Sequence, residues 1–82
     1  MSVDRQQVEA TIRDLLAGYN KDGVELTPET DIAADLNIDS ADVLNFVMEV
    51  EDAFDVDISL NELSDVRTIA QLVDLVAERV GA

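Results

Sequence analysis

Ser40 stands where a turn-rich segment gives way to an apolar run of helical length, with Asp39 before it and Asp42 two residues beyond. Two chemistries fit a hydroxyl in that place. Serine is among the preferred helix N-caps, because its oxygen accepts a hydrogen bond from a free N–H of the first turn. It is equally an acceptor for a phosphodiester added by another enzyme, since a phosphate there would face free N–H groups and the positive end of the helix dipole. Position alone favours the cap. Catalysis by Ser40 itself is not expected: a hydroxyl is a weak nucleophile without a base, and the chain has no histidine.

Asp35-x-Asn37-x-Asp39 looks at first like the opening of a calcium loop. Such a loop needs glycine at its sixth position and a bidentate glutamate at its twelfth. Those places hold Ser40 and Phe46 here, so no metal site is expected beyond loose association of cations. Lys21, the single lysine, sits beside Asp22 and reads as a solvated charge. With neither cysteine nor histidine, the chain lacks the makings of a disulfide, a thiolate nucleophile, a serine–histidine relay or an ordinary zinc site. No catalytic residue is expected.

The charge narrows the partners. Nineteen acidic residues against five basic ones give a formal net charge of −14. Phosphate neutralisation needs a basic face, so nucleic acid and anionic membrane surfaces are poor partners. An apolar fraction of 48% separates the chain from acidic disordered tails. The start, MSVDRQQVEA, carries no secretory pattern, and no apolar run is long enough to span a bilayer; a cytoplasmic monomer without membrane insertion is the simplest expectation.

The elements that must position Ser40 follow from hydrophobic spacing. Val8, Ile12, Leu15, Leu16 and Tyr19 share one stripe, which predicts a helix from Val3 to about Tyr19, with Asp4 as cap and Gly18 near the end. Residues 20–39 hold no helical period and read as a long loop, pinned to the core by Val24, Leu26, Ile32, Leu36 and Ile38. Thr27-Pro28-Glu29 could start a single helical turn within it. Asp39 or Ser40 opens a second helix running to about Phe54. It carries two stripes: Phe46, Val47, Val50, Ala53 and Phe54 toward the core, and Ala41, Leu44 and Met48 well round the helix. One helix in a small bundle buries one face, so Leu44 and Met48 are candidates for an exposed apolar patch. Ser59-Leu-Asn-Glu62 and Thr68-Ile-Ala-Gln71 are capping boxes, opening a short helix at Leu60–Ser64 and a last helix that Gly81 closes. The expected fold is all-α: a small four-helix bundle with three main helices, one short helix and a long first loop, in a single domain spanning 1–82.

Taken together these residues resemble the acyl carrier protein family. Asp35-Leu-Asn-Ile-Asp-Ser40 is similar to that family's run into its Asp-Ser-Leu signature. Val47-Met48, Glu51 to Asp55, Ile58 and Thr68-Ile69 follow at the family's spacing without gaps. The ordered set covers nearly the whole chain and reverses the preference for a mere cap at Ser40.

What the resemblance implies is concrete. Ser40 would receive 4′-phosphopantetheine from coenzyme A through a phosphopantetheinyl transferase, and the arm's thiol would hold acyl chains as thioesters. The reactive sulfur of a cysteine-free chain is thereby imported. The second helix would be the docking face: Asp39, Asp42, Glu49, Glu51 and Asp52 toward basic patches of acyl-transfer, elongation or other lipid-synthesis enzymes, with Leu44 and Met48 as an apolar centre. Phe46, Val50, Phe54, Ile69 and Leu72 would line the interior that parts for an acyl chain. Two positions depart from the family: Ala41 stands where the signature has leucine, and Asn45 where an acidic residue is usual. Both fall on the docking face and point to a specialised lipid or polyketide pathway rather than housekeeping fatty-acid synthesis. Three other readings stay open: an unmodified acidic adaptor for basic proteins, a peptidyl carrier of nonribosomal synthesis, and a small calcium-responsive protein.

Overall fold

The computed structural model describes residues 4–81, so Val3, the expected helix start, and Ser2 lie outside the described residues. Those residues form α1 (Arg5–Ala17), α2 (Ser40–Phe54), α3 (Leu60–Ser64) and α4 (Ile69–Val80), with no strand among them. Asp31 and Thr68 make one isolated antiparallel bridge. The all-α expectation holds.

Local chemistry explains most of the ends. Asp4 caps α1 with a reciprocal bond from its own N–H to the Gln7 side chain, and Ser59 with Glu62 and Thr68 with Gln71 repeat the device at α3 and α4. α1 stops at Ala17, two residues short of the expected Tyr19. There the Tyr19 N–H donates to the Leu16 carbonyl at 2.9 Å, a tighter turn that takes Tyr19 off the helix and lets its ring cross to α2.

The core joins one stripe from each long helix: Val8, Ile12 and Leu16 of α1, Phe46, Val47 and Val50 of α2, and Ile69, Leu72, Val73 and Val76 of α4. Ile32, Leu36 and Ile38 of the first loop are buried with them, and Val24 and Leu26 pack against the cluster. The long loop is therefore a tied segment. Thr30, buried, accepts the Thr27 N–H and donates to the Glu25 carbonyl, closing a turn over Pro28 rather than a helix. The Ile32 N–H reaches the Arg67 carbonyl at 2.9 Å, and the Ile69 N–H reaches the Thr30 carbonyl at 3.1 Å. These bonds hold the loop against the start of α4 and fix the direction in which the chain enters α2.

One expected core position is corrected. Ala53 is exposed, while Phe54 is half-buried and packs against the core. Both border an open groove shared with Gln7, Ala10 and Thr11 of α1. No helix among the described residues is long and apolar enough to cross a membrane.

Candidate functional site

The N-terminus of α2 shows which residue caps the helix. Asp39 is the cap: its backbone is extended and its carboxylate accepts the Asp42 N–H at 2.9 Å, while its carbonyl accepts the Val43 N–H at 3.0 Å. Ser40 is the first helical residue, so of the two expected openers Asp39 is the cap, and the reading of Ser40 as a mere cap is corrected. A carboxylate at that place is favoured by the dipole and fills the cap, which leaves the serine hydroxyl unspent.

The described serines therefore differ. Ser59 Oγ accepts the Glu62 N–H, and Ser64 Oγ donates to the Asn61 carbonyl at 2.7 Å. Ser40 is exposed, and its Oγ has no hydrogen-bond partner among the described residues. Beside it lies an open, mostly apolar groove of about 300 Å³ between α2 and α3, lined by Ser40, Val43, Leu44, Leu60, Leu63 and Ser64. An exposed, unengaged hydroxyl at the mouth of an apolar groove fits a long tether with an apolar load.

Leu44 and Met48 are 44% and 61% exposed, and Leu60 of α3 is 72% exposed. Leu60 escaped the sequence reading. Its signal was its place: the residue just after a capping serine points outward on the first turn, so an apolar type there is unusual. Around the patch, Asp39, Ala41, Asn45, Glu49 and Asp52 are exposed and Asp42 half-buried. Glu51 behaves differently. It is half-buried, and its carboxylate accepts the Ile58 N–H at 2.9 Å, so it secures the α2–α3 connection. The ion pairs among the described residues, Arg5–Asp74, Arg13–Glu9 and Arg79–Glu62, all lie away from α2. The acids of α2 are left without an arginine or lysine.

Tyr19, expected only as the last apolar residue of the first helix, makes a contact with α2 that its spacing does not show. Its hydroxyl donates to the Glu49 carboxylate, thirty residues away, and its ring meets Phe46 edge-on with centroids 6.0 Å apart. That hydrogen bond, partial burial and the charges of Glu49 and Asp42 push its ionisation up from 10 to about 12. No local pattern announces a contact of that range.

The residues expected to line an acyl interior lie in three different places. A void of about 60 Å³ is walled by Ile32, Ala33, Val43, Phe46, Val47, Leu63, Val66, Arg67 and Leu72. Phe46 and Leu72 reach it. Val50 and Ile69 are instead fully buried in close-packed core, and Phe54 borders the groove against α1. The sequence placed the interior between α2 and the last helix. The long loop and the segment around Val66 intrude there and move the space beneath α3. The carboxylates of the calcium-like run are spent on the backbone, Asp35 accepting the Asp31 N–H and Asp39 the Asp42 N–H. No cluster of metal-ligating side chains occurs among the described residues.

Comparison with known proteins identifies the family. Residues 10–76 match the family model described as "Phosphopantetheine attachment site". An acyl carrier protein of Syntrophobacter fumaroxidans is 35% identical over 83 residues, covering 98% of this chain and all of the relative. Acyl carrier proteins of Rubrobacter xylanophilus and a Picosynechococcus strain are each 34% identical, covering 93% and 94% of this chain and 95% and 96% of theirs. A four-helix fold, a full-length likeness and a match to the attachment module converge, and the chain belongs to the acyl carrier protein family: a carrier rather than a catalyst, whose cofactor is 4′-phosphopantetheine.

Proposed function

We propose that the chain is a single, monomeric carrier domain working in the cytoplasm, and that Ser40 is the residue that bears its phosphopantetheine arm. The observation that carries this is the state of the hydroxyl: Ser40 Oγ is exposed and unengaged beside an apolar groove, while Ser59 and Ser64 spend theirs on the backbone. On loading, the Ser40 hydroxyl gives up its proton and its oxygen bonds to phosphorus, as the nucleotide portion of coenzyme A leaves. When bound, the group supplies the thiol that carries acyl chains as thioesters. Asp39, already committed to the helix cap, keeps Ser40 at the first turn, where the N–H groups of Ser40 and Ala41 have no partner among the described residues.

Partners read the outer face of α2. Asp42, Glu49 and Asp52 supply unpaired negative charge and attract basic patches of the transferase and of lipid-synthesis enzymes, while Leu44, Met48 and Leu60 give an apolar centre. Glu51 contributes charge from an anchored position. The small void beneath α3 has room for only a few methylene-sized groups as it stands, so a longer acyl chain must widen it by moving α3, or lie along the groove. α3 suits that movement, because none of its residues is buried. Ala41 and Asn45 each remove a usual contact of the family beside Ser40 and favour a specialised lipid or polyketide pathway.

Intact mass after incubation with coenzyme A and a broad-specificity phosphopantetheinyl transferase tests the attachment. The expected result is one added phosphopantetheinyl group, lost in Ser40→Ala. Addition at another serine, or none while a control carrier is loaded, overturns it. For the pathway, equal support of ordinary fatty-acid elongation by this carrier and a housekeeping one would refute the specialised assignment.

A further inference from the structure

We propose that Tyr19 is a positioning residue for docking: its hydroxyl holds the Glu49 carboxylate in one orientation on α2, so that a cationic side chain of the partner meets an acceptor already in place. This rests on the reading of α2 as the docking face.

Three features make Tyr19 a fixed donor. The backbone after Gly18 is tied, with the Tyr19 N–H on the Leu16 carbonyl and the Lys21 N–H on the Tyr19 carbonyl at 3.1 Å. The ring stands against Phe46 at an interplanar angle of 74°, and Phe46 is fully buried. The hydroxyl then ends at Glu49, one helical turn beyond Phe46 and on the exposed side of α2. The side chains of Asp42 and Asp52 have no comparable anchor among the described residues. A glutamate left to itself loses rotamer freedom when a partner captures it; one already held loses less.

The type of donor matters as much as its place. Two acids outside α2 are paired with arginine, in Arg5–Asp74 and Arg79–Glu62. Over α2 the donor is a neutral phenol, which orients the carboxylate without cancelling its charge. With its ionisation pushed up to about 12, the phenol remains a protonated donor at any physiological pH. The face stays anionic and becomes ordered.

The test is steady-state loading of the apo chain by the transferase at saturating coenzyme A, with carrier concentration varied. Tyr19→Phe keeps the ring and its Phe46 contact. It should raise the apparent KM about threefold with kcat unchanged, the mark of lost binding rather than lost chemistry. Glu49→Gln should raise KM at least as much, and the double variant no further than Glu49→Gln alone. A tie that merely holds α1 to α2 would shift the melting temperature and leave KM alone. Native KM in Tyr19→Phe with a raised KM in Glu49→Gln overturns the role of Tyr19 and leaves the docking face standing. Native KM in both variants overturns the role of Tyr19 and removes Glu49 from the docking set. Absence of loading on the native chain overturns the Ser40 assignment and this proposal with it. An ultraviolet titration supplies a second readout: the Tyr19 midpoint should fall from about 12 toward 10 in Glu49→Gln, and an unmoved midpoint overturns the proposal.

Discussion

α2 and α4 are close in length, 15 and 12 residues, and both are strongly apolar along one side, yet they are finished in opposite ways. α4 buries Ile69, Leu72, Val73, Val76 and Ala77, opens on a reciprocal capping box, carries Arg79 in its last turn and ends on Gly81 in the left-handed conformation. Each of those features follows the rules of a stable helix. α2 buries Phe46, Val47 and Val50, has a one-way aspartate cap and no basic residue in its last turn, and ends on Asp55 at φ 54°, where glycine is the usual choice. Its C-terminal turn gathers Glu51, Asp52 and Asp55 against the negative end of the dipole. Local rules are broken in α2, the helix proposed to face partners, and kept in α4, which buries more of its residues. This is the pattern expected where a surface serves recognition at some cost to stability.

The sharpest way to break this comparison is to truncate one apolar residue on each helix. Leu72→Ala should cost about 2–5 kcal/mol, because it empties a fully buried site. Met48→Ala should stay within about 0.5 kcal/mol in a chemical-denaturation curve, since most of its side chain is already in water. Equal losses would mean that Met48 is covered in solution and that α2 has no uncovered face.

Caps give a smaller contrast. Thr68→Ala removes a hydroxyl that accepts the Gln71 N–H and should cost about 1 kcal/mol, which is roughly 4–8 °C in a domain of this size. Ser40→Ala should leave the melting temperature nearly unchanged, because Asp39 is the cap. A loss at Ser40 equal to that at Thr68 would return Ser40 to a structural role.

The smallest effect lies at the end of α2. Asp55→Gly removes both a left-handed strain and one crowded carboxylate, and should stabilise by roughly 0.5–1 kcal/mol. Magnesium should raise the melting temperature of the native chain by screening the −14 charge, and by less in Asp55→Gly. A native chain indifferent to magnesium would show that repulsion does not limit its stability.

Helix existence and the capping boxes were legible residue by residue, because both are set by neighbours three and four apart: Asp4 with Gln7, Ser59 with Glu62, Thr68 with Gln71. So was the double stripe of α2, since no single helix face can bury both Phe46 and Met48 in so small a bundle. The ordered motif from Asp35 to Ile69 fixed the family without any coordinates. Which oxygen caps α2, however, depends on where the loop hands the chain to the helix, and the structure places that handover at Asp39. The void beneath α3, the anchoring of Glu51 on Ile58 and the reach of Tyr19 to Glu49 join residues far apart in the chain or held by different elements. Such contacts have no spacing to betray them; they exist only once packing has brought the segments together.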